Sequence, residues 1–297
     1  MQNLKNNQLM PIFAVILLTM IWGYNWVVMK QSVQLIGPWE FAFIRNFFGA
    51  LCLFLVLIFY KKSLRLAHPL YVFLIGLMQM IGFTVLVLAA LVKGGTAKTS
   101  VLTFTMPIWA NLLAFFFLKE RIKLSQCFAI MISCLGLVLI FDPVHKSPDL
   151  FSMILAISSG FFWGCGVVLV KHYHHINPKT DLLNLTAWQM LLGSIPIIFV
   201  IWFKGIDIYQ VNTYLIGASI YNIVFCNAIA WILWLYGVKY LRTSLVSSIS
   251  LLAPVIGSIA AFVEFGEAPL LNELIGLLLI LSGIFIMLIL ASRPTSK

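Results

Sequence analysis

The sequence predicts an all-α integral membrane protein: ten transmembrane helices arranged as two inverted five-helix repeats. Three observations predict it. The chain has 297 residues, 62% of them hydrophobic and only 9% charged. A soluble domain is about 45–50% apolar and about 25% charged, and a water-exposed globe cannot hide such an excess. At about 20 apolar residues per crossing, the hydrophobic share is material for about nine or ten spans. Markers in the first half of the chain also return, in order, in the second. This composition excludes a soluble enzyme, a nucleic-acid-binding domain and a single-span receptor with a large ectodomain.

The first span is read over 11–30. Lys5 ahead of an apolar run resembles a signal peptide. The run from Pro11 to Met29 is nevertheless long, lacks a small-residue cleavage site and precedes further spans, so it reads as a retained helix. The second span, 39–60, opens after Ile36-Gly37-Pro38, and the third, 69–91, closes at Lys93-Gly94-Gly95. Then come 96–118 and 125–141, the latter stopped by Asp142-Pro143. The second half holds 150–170, 182–203 (after Asn177-Pro178), 214–236, 243–265 and 272–291. Glycine and proline punctuate nearly every boundary. No stretch suffices for a separate soluble domain, so the units are 11–141 and 150–291.

Charge sets the expected orientation. With a cytoplasmic N-terminus, the inner segments hold Lys5, Lys61, Lys62, Arg65, Lys119, Arg121, Lys123, Lys171, Lys179, Lys239, Arg242, Arg293 and Lys297. That is 13, against five outside: Lys30, Lys93, Lys98, Lys146 and Lys204. By the positive-inside rule both termini are cytoplasmic, in a plasma membrane. The net charge of +10 is then topology and calls for no anionic partner.

The internal repeat is an ordered series. Ile21-Trp22-Gly23 and Lys30 return as Phe162-Trp163-Gly164 and Lys171, 141 positions on. Arg45 and Gly49 match Gln189 and Gly193 at 144; Thr96, Pro107, Ala114 and Glu120 match Thr243, Pro254, Ala261 and Glu267 at 147. Gly136 matches Gly283, also at 147. Five spans is an odd number, so the second half enters the membrane upside down. Inverted repeats are a signature of secondary transporters, because exchanging the halves' conformations exchanges inward-open for outward-open.

Ten spans as five plus five, with these markers, resemble the EamA-like family of the drug/metabolite transporter superfamily. The resembling residues are Trp22-Gly23 with Lys30, Arg45, and Thr96 through Pro107 to Glu120, with their echoes. The resemblance covers nearly the whole chain. It implies helices around a central cavity and the movement of small organic solutes such as amino acids. It leaves the substrate unassigned.

The residues themselves suggest where such a cavity lies. Pro107 and Pro254 fall mid-span and free the carbonyls of Thr103 and Ser250; in hydrocarbon such groups need a cavity or protein partner, so hinge and packing kink are both open. Glu120 and Glu267 stand past the ends of the same helices, facing the wrong end of the dipole. Lys119 and Arg121 are candidate partners for the first, the following helix for the second, and a gate contact is the sharper alternative. Trp22, Asn25, Trp26 and Met29 share one helical face. Arg45 has three readings: snorkelling to the outer interface, pairing with Glu40, or a fixed positive charge at the cavity mouth suited to a carboxylate or phosphate.

Gln79, Gln189 and Asn222 are intramembrane amides, as are Asn46, Asn111 and Asn227; each is helix–helix glue or cavity lining. Trp109, Trp163 and Tyr236 are candidate aromatic walls. The expected lining is therefore Trp22, Asn25, Arg45, Gln79, Trp109, Trp163, Gln189, Asn222 and Tyr236, with Pro107, Pro254, Glu120 and Glu267 at hinges or gates.

Other chemistry is weakly supported. The five cysteines form no C-x-x-C, and His172-Tyr173-His174-His175 reads as a solvated loop, so no metal site is expected. No phosphate-binding G-x-x-x-x-G-K-[ST] is present, no cofactor is implied and no core Asp or Glu offers direct proton coupling. The expectation is a non-enzyme whose partners are a small-molecule substrate and the lipid bilayer, with no nucleic acid and no obligatory protein partner. The substrate expected first is an amino acid or derivative. A nucleoside, sugar or drug-like solute is the alternative, and a channel or intramembrane lipid enzyme stands further off.

Overall fold

The computed structural model describes residues 9–119, 124–141, 150–241, 246, 249–250, 252–268 and 270–291. Among these the chain is helical, the one β-type pairing being an isolated antiparallel bridge between Ile36 and Ile208. The helices are α1 Leu9–Ser32, α2 Pro38–Phe59, α3 Pro69–Lys93, α4 Thr96–Leu118, α5 Leu124–Phe141, α6 Leu150–Ile176, α7 Leu182–Lys204, α8 Thr213–Tyr240, α9 Leu252–Phe265 and α10 Leu271–Ala291. Seven of them, α1 to α4 and α6 to α8, are long and apolar enough to cross a membrane.

Local chemistry explains the boundaries. Proline opens α2 and α3, where a missing N–H costs nothing. Asp181 caps α7, its carboxylate accepting from Leu183 N at 2.9 Å, and Asn212 caps α8 through Leu215 N at 2.9 Å. α4 is broken: its first piece ends at Thr103, and the second starts at Met106 with Pro107 in its first turn. α3 and α8 each carry a π-helical stretch, Leu77–Phe83 and Tyr221–Ile229.

The distribution of side chains is that of a protein solvated by lipid. Phe203, Trp202 and Phe59 are 85%, 83% and 81% exposed, while Asn25, Gln79, Gln189 and Asn222 are buried. In water such a surface would be an aggregation liability; in a bilayer it is the solvent-facing side, and the amides belong within the bundle. α2 packs on α7, α5 on α10, α1 on α8 and α9, and α6 on α3 and α4. α3 and α7 touch at Gly76 and Gly193, where a Cβ on Gly193 would lie 2.8 Å from the Gly76 carbonyl oxygen. Only a residue without a side chain lets the backbones approach so closely.

Polar contacts fasten each end of the α2–α7 pair. At one end Lys204 pairs with Glu40 at 3.2 Å and with Asp207, whose N–H donates to Glu40 Oε1 at 3.0 Å. At the other, Lys62 pairs with Asp181 at 2.6 Å, and the Trp188 indole donates to Leu64 O at 2.9 Å.

The structure corrects the histidine segment. α6 runs on to Ile176, so His172-Tyr173-His174-His175 is helical, and Tyr173 is buried with its hydroxyl on Ala67 O at 3.0 Å. Its apolar ring is drawn onto α3, beside Tyr71, while the histidines around it stay exposed. No cluster fit for a metal occurs among the described residues.

Candidate functional site

Two open chambers lie end to end inside the bundle. The larger, about 420 Å³, is walled by the Pro107–Asn111 stretch of α4, the late turns of α6 and α8, and the first turns of α7. The smaller, about 120 Å³, lies toward the Lys204–Glu40 end, between α1, α2, α3 and the break in α4. Trp22, Phe104, Met106, Trp163 and Trp231 line both and form the waist between them.

The waist is an aromatic belt assembled from four helices. Trp22 on α1 meets Trp231 and Trp234 on α8 at centroid distances of 6.1 and 5.9 Å. Trp163 on α6 meets Trp231 at 6.3 Å and Phe83 on α3 at 4.6 Å. The Trp22 indole is oriented by donating to Cys226 O at 3.2 Å, a carbonyl within the π stretch of α8. Such a belt offers flat apolar faces to a solute and electron-rich surfaces to a cation.

The polar lining divides between the chambers. In the larger one Gln189 Nε2 donates to Gln79 Oε1 at 3.0 Å, tying α7 to the π stretch of α3. The smaller holds Asn25, Asn46, Arg45 and Asn227. Asn227 is spoken for by the Arg45 carbonyl at 2.6 Å, and Asn46 by Met80 O at 3.4 Å. Arg45 is half-buried, and its guanidinium donates to Met29 Sδ at 2.8 Å. It does not pair with Glu40, which Lys204 has taken. Nor does it snorkel outward: it turns inward and lines the smaller chamber.

Trp22, Asn25, Arg45, Gln79, Trp163 and Gln189 thus line one chamber or the other, and Pro107 lines the larger. Three expected wall residues do not. Trp109 is turned toward α6, stacked edge-on against Phe161 at 5.6 Å and pressed on Gly164. Asn222 is wholly buried, its amide donating to Ala218 O at 3.1 Å. The wider i→i+5 turn of the π stretch shifts the register, so that Cys226 and Asn227 face the chamber in its place. Tyr236 lies on the outer face of α8 against Tyr240, at 4.9 Å.

The hinge and gate residues also redistribute. Pro107 does sit at a break, whose hydroxyls are used locally: Thr105 donates to Leu102 O at 2.7 Å and Thr103 meets Ser159 at 3.3 Å. Pro254 is buried in the first turn of α9 and lines neither chamber. Glu267 caps not its following helix but α4, accepting from Thr96 N at 2.6 Å and Thr96 Oγ1 at 3.3 Å. The N-terminal end of α4, with its unpaired N–H groups, is a better place for a carboxylate than the end of α9 it follows. Glu120 lies outside the described residues.

Sequence reasoning missed Phe104, Met106, Met80 and Phe83 as lining residues. Apolar residues in an apolar chain carry no signal of which face they occupy; the usable hint was their closeness to Pro107 and Gln79.

The model of the EamA-like transporter family matches twice, over residues 9–142 and 150–289. "Uncharacterized transporter YoaV" of Bacillus subtilis is 26% identical over 281 residues, 92% of this chain and 95% of that one. A "probable amino-acid metabolite efflux pump" of Salmonella typhimurium is 25% identical over 291 residues, 92% of this chain and 93% of the pump. An "S-adenosylmethionine uptake transporter" of Rickettsia bellii is 24% identical over 276 residues, covering 92% and 91%. These relatives are named as transporters and none as an enzyme, in keeping with a bundle of apolar helices around a polar-lined path. The chain belongs to the EamA-like transporter family.

Proposed function

We propose that this protein is a secondary transporter that carries a small polar organic metabolite, foremost an amino acid or amino-acid derivative, across the plasma membrane by alternating access. In this reading ten spans form two inverted repeats, 11–141 and 150–291, with both termini cytoplasmic. The observation that carries it is the path of two chambers through an aromatic waist built from both halves, Trp22 and Phe104 from one and Trp163 and Trp231 from the other.

Pairwise geometry supports the inversion. The ion pair Glu40–Lys204 has a counterpart in Asp181–Lys62 at the opposite end, with Asp181 141 positions after Glu40 and Lys204 142 after Lys62. Gly23 on α1 presses on Ile256 of α9, and Gly164 on α6 presses on Trp109 of α4, at the same offsets of 141 and 147 that run through the sequence. The π stretches start at Leu77 and Tyr221, 144 apart, the offset of Arg45 and Gln189. A two-fold operator in the membrane plane turns each of these contacts into its partner.

With the termini cytoplasmic, the larger chamber lies on the cytoplasmic side and the smaller beneath the outer face. Lys30 Nζ donating to Leu91 O and Gly94 O at 2.8 and 2.9 Å, together with the Glu267–Thr96 cap, then close the outside. An amino acid suits the lining, which combines amides, aromatic faces and one fixed cation. The Salmonella relative's name points to amino-acid metabolites and the Rickettsia relative's to an amino-acid derivative. Counterflow in proteoliposomes tests the reading. Vesicles loaded with an unlabelled amino acid should transiently accumulate the labelled one, with saturation. Unsaturable conductance would contradict it, and lipid turnover would point to an enzyme instead.

A further inference from the structure

The smaller chamber holds two buried polar atoms with opposite hydrogen-bonding needs and no partner. Arg45 Nε is a donor and Asn25 Oδ1 an acceptor; both are shut off from solvent and unbonded, and both side chains line that chamber. Native interiors leave few such atoms unmade, and two of complementary sense in one small space mark the outline of something that binds there.

The charge narrows what it is. A guanidinium keeps its proton, so Arg45 brings a standing positive charge to the chamber wall. Its hydrogen bond to Met29 Sδ is to a weak, uncharged acceptor. Among the described residues no carboxylate pairs with it, Glu40 being held by Lys204 and the Asp207 N–H. One cation calls for one negative charge. A carboxylate balances it, whereas a phosphate dianion would leave a surplus charge in a chamber with no second cation among its lining residues.

Geometry supplies the second half. Asn25 and Met29 are four residues apart on α1, so the amide and the sulfur that holds the guanidinium stand one above the other on one helical face. A ligand carrying an anion and a hydrogen-bond-donating cation on one carbon meets both groups together. We propose that Arg45 and Asn25 recognise the head group of an α-amino acid, Arg45 taking the α-carboxylate and Asn25 Oδ1 receiving the α-ammonium, with the side chain left against Trp22, Trp163 and Trp231. This rests on the transporter reading above and narrows it: the cargo is a zwitterion, and amines, amides and esters without a free carboxylate are rejected.

The test uses the purified full-length protein, with the fluorescence of the waist tryptophans and thermal unfolding as readouts. The probes are L-leucine, L-methionine and L-phenylalanine, their methyl esters, the matching acids without the amino group, and inorganic phosphate. At least one amino acid should bind, and its methyl ester should bind on the order of 10–100-fold more weakly, the range for losing a hydrogen bond to a charged group. Arg45→Gln should lose a similar factor, and Arg45→Lys should restore part of it. Asn25→Leu should stop distinguishing the amino acid from its deaminated analogue while still rejecting the ester. The inference is overturned if no amino acid binds the wild type, if ester and acid bind alike, if Arg45→Gln binds unchanged, or if phosphate is preferred. The analogue series needs only the wild type, so a misfolded variant does not blunt it. Counterflow separates the two claims: movement of a solute without a carboxylate removes the head-group site and leaves the transporter, and amino-acid binding without movement does the reverse.

Discussion

Two lysines show how burial decides what a contact is worth. Lys62 and Asp181 are 43% and 37% exposed, so their pair is screened and contributes at most about 1 kcal/mol. Glu40 is only 5% exposed, and Lys204 answers a charge that water cannot reach. Lys204→Ala should therefore destabilise the protein by about 1–3 kcal/mol, the cost of an unsatisfied buried group, and Lys62→Ala by less than about 1 kcal/mol. Thermal unfolding in detergent checks the contrast, and equal shifts would contradict it. The same lysines mark how far single residues were legible. Intramembrane polarity singled out Asn25, Arg45, Gln79 and Gln189, because a polar group in hydrocarbon needs a reason, while Trp22 and Trp163 came from helical spacing and the repeat. It could not tell Asn227 from Asn222, since that choice depends on a π turn, and periodicity arguments assume an α-helix throughout.

At the scale of elements, the irregular stretches gather where helices meet the chambers. The break at Phe104–Thr105 puts Phe104 and Met106 at the waist, and the π stretches carry Gln79 in α3 and Cys226 and Asn227 in α8 to chamber walls. Proline announced the break in α4; nothing in the residues of Leu77–Phe83 or Tyr221–Ile229 announces an extra residue per turn. Elsewhere the helices must stay closely packed. Gly193→Val would drive a side chain into the backbone of Gly76 and into Met80 Cβ, 2.8 Å away, and overpacking of this kind costs about 1–3 kcal/mol. At Gly217 in α8 an added Cβ meets nothing within 4 Å, so Gly217→Ala should be neutral or stabilising by up to about 1 kcal/mol. A drop in unfolding temperature for the first and not the second is the expected outcome; tolerance of Val at 193 would contradict the close crossing of α3 and α7.

At the scale of the molecule, composition alone placed the chain in a membrane, and the structure adds how the polar minority is deployed: clasps at both ends of α2 and α7, and a polar-lined path between. In the proposed transport cycle the halves are oppositely oriented, so that one path can open to either side. The most direct test is sidedness at equivalent connections: that between α2 and α3, and that between α7 and α8. Single cysteines at Lys61 and Tyr209, both exposed, would be introduced into a cysteine-free background and treated with a membrane-impermeant thiol reagent. The cysteine at 209 is expected to be labelled in intact cells and the one at 61 only after permeabilisation; labelling of both from the same side would contradict the inverted arrangement.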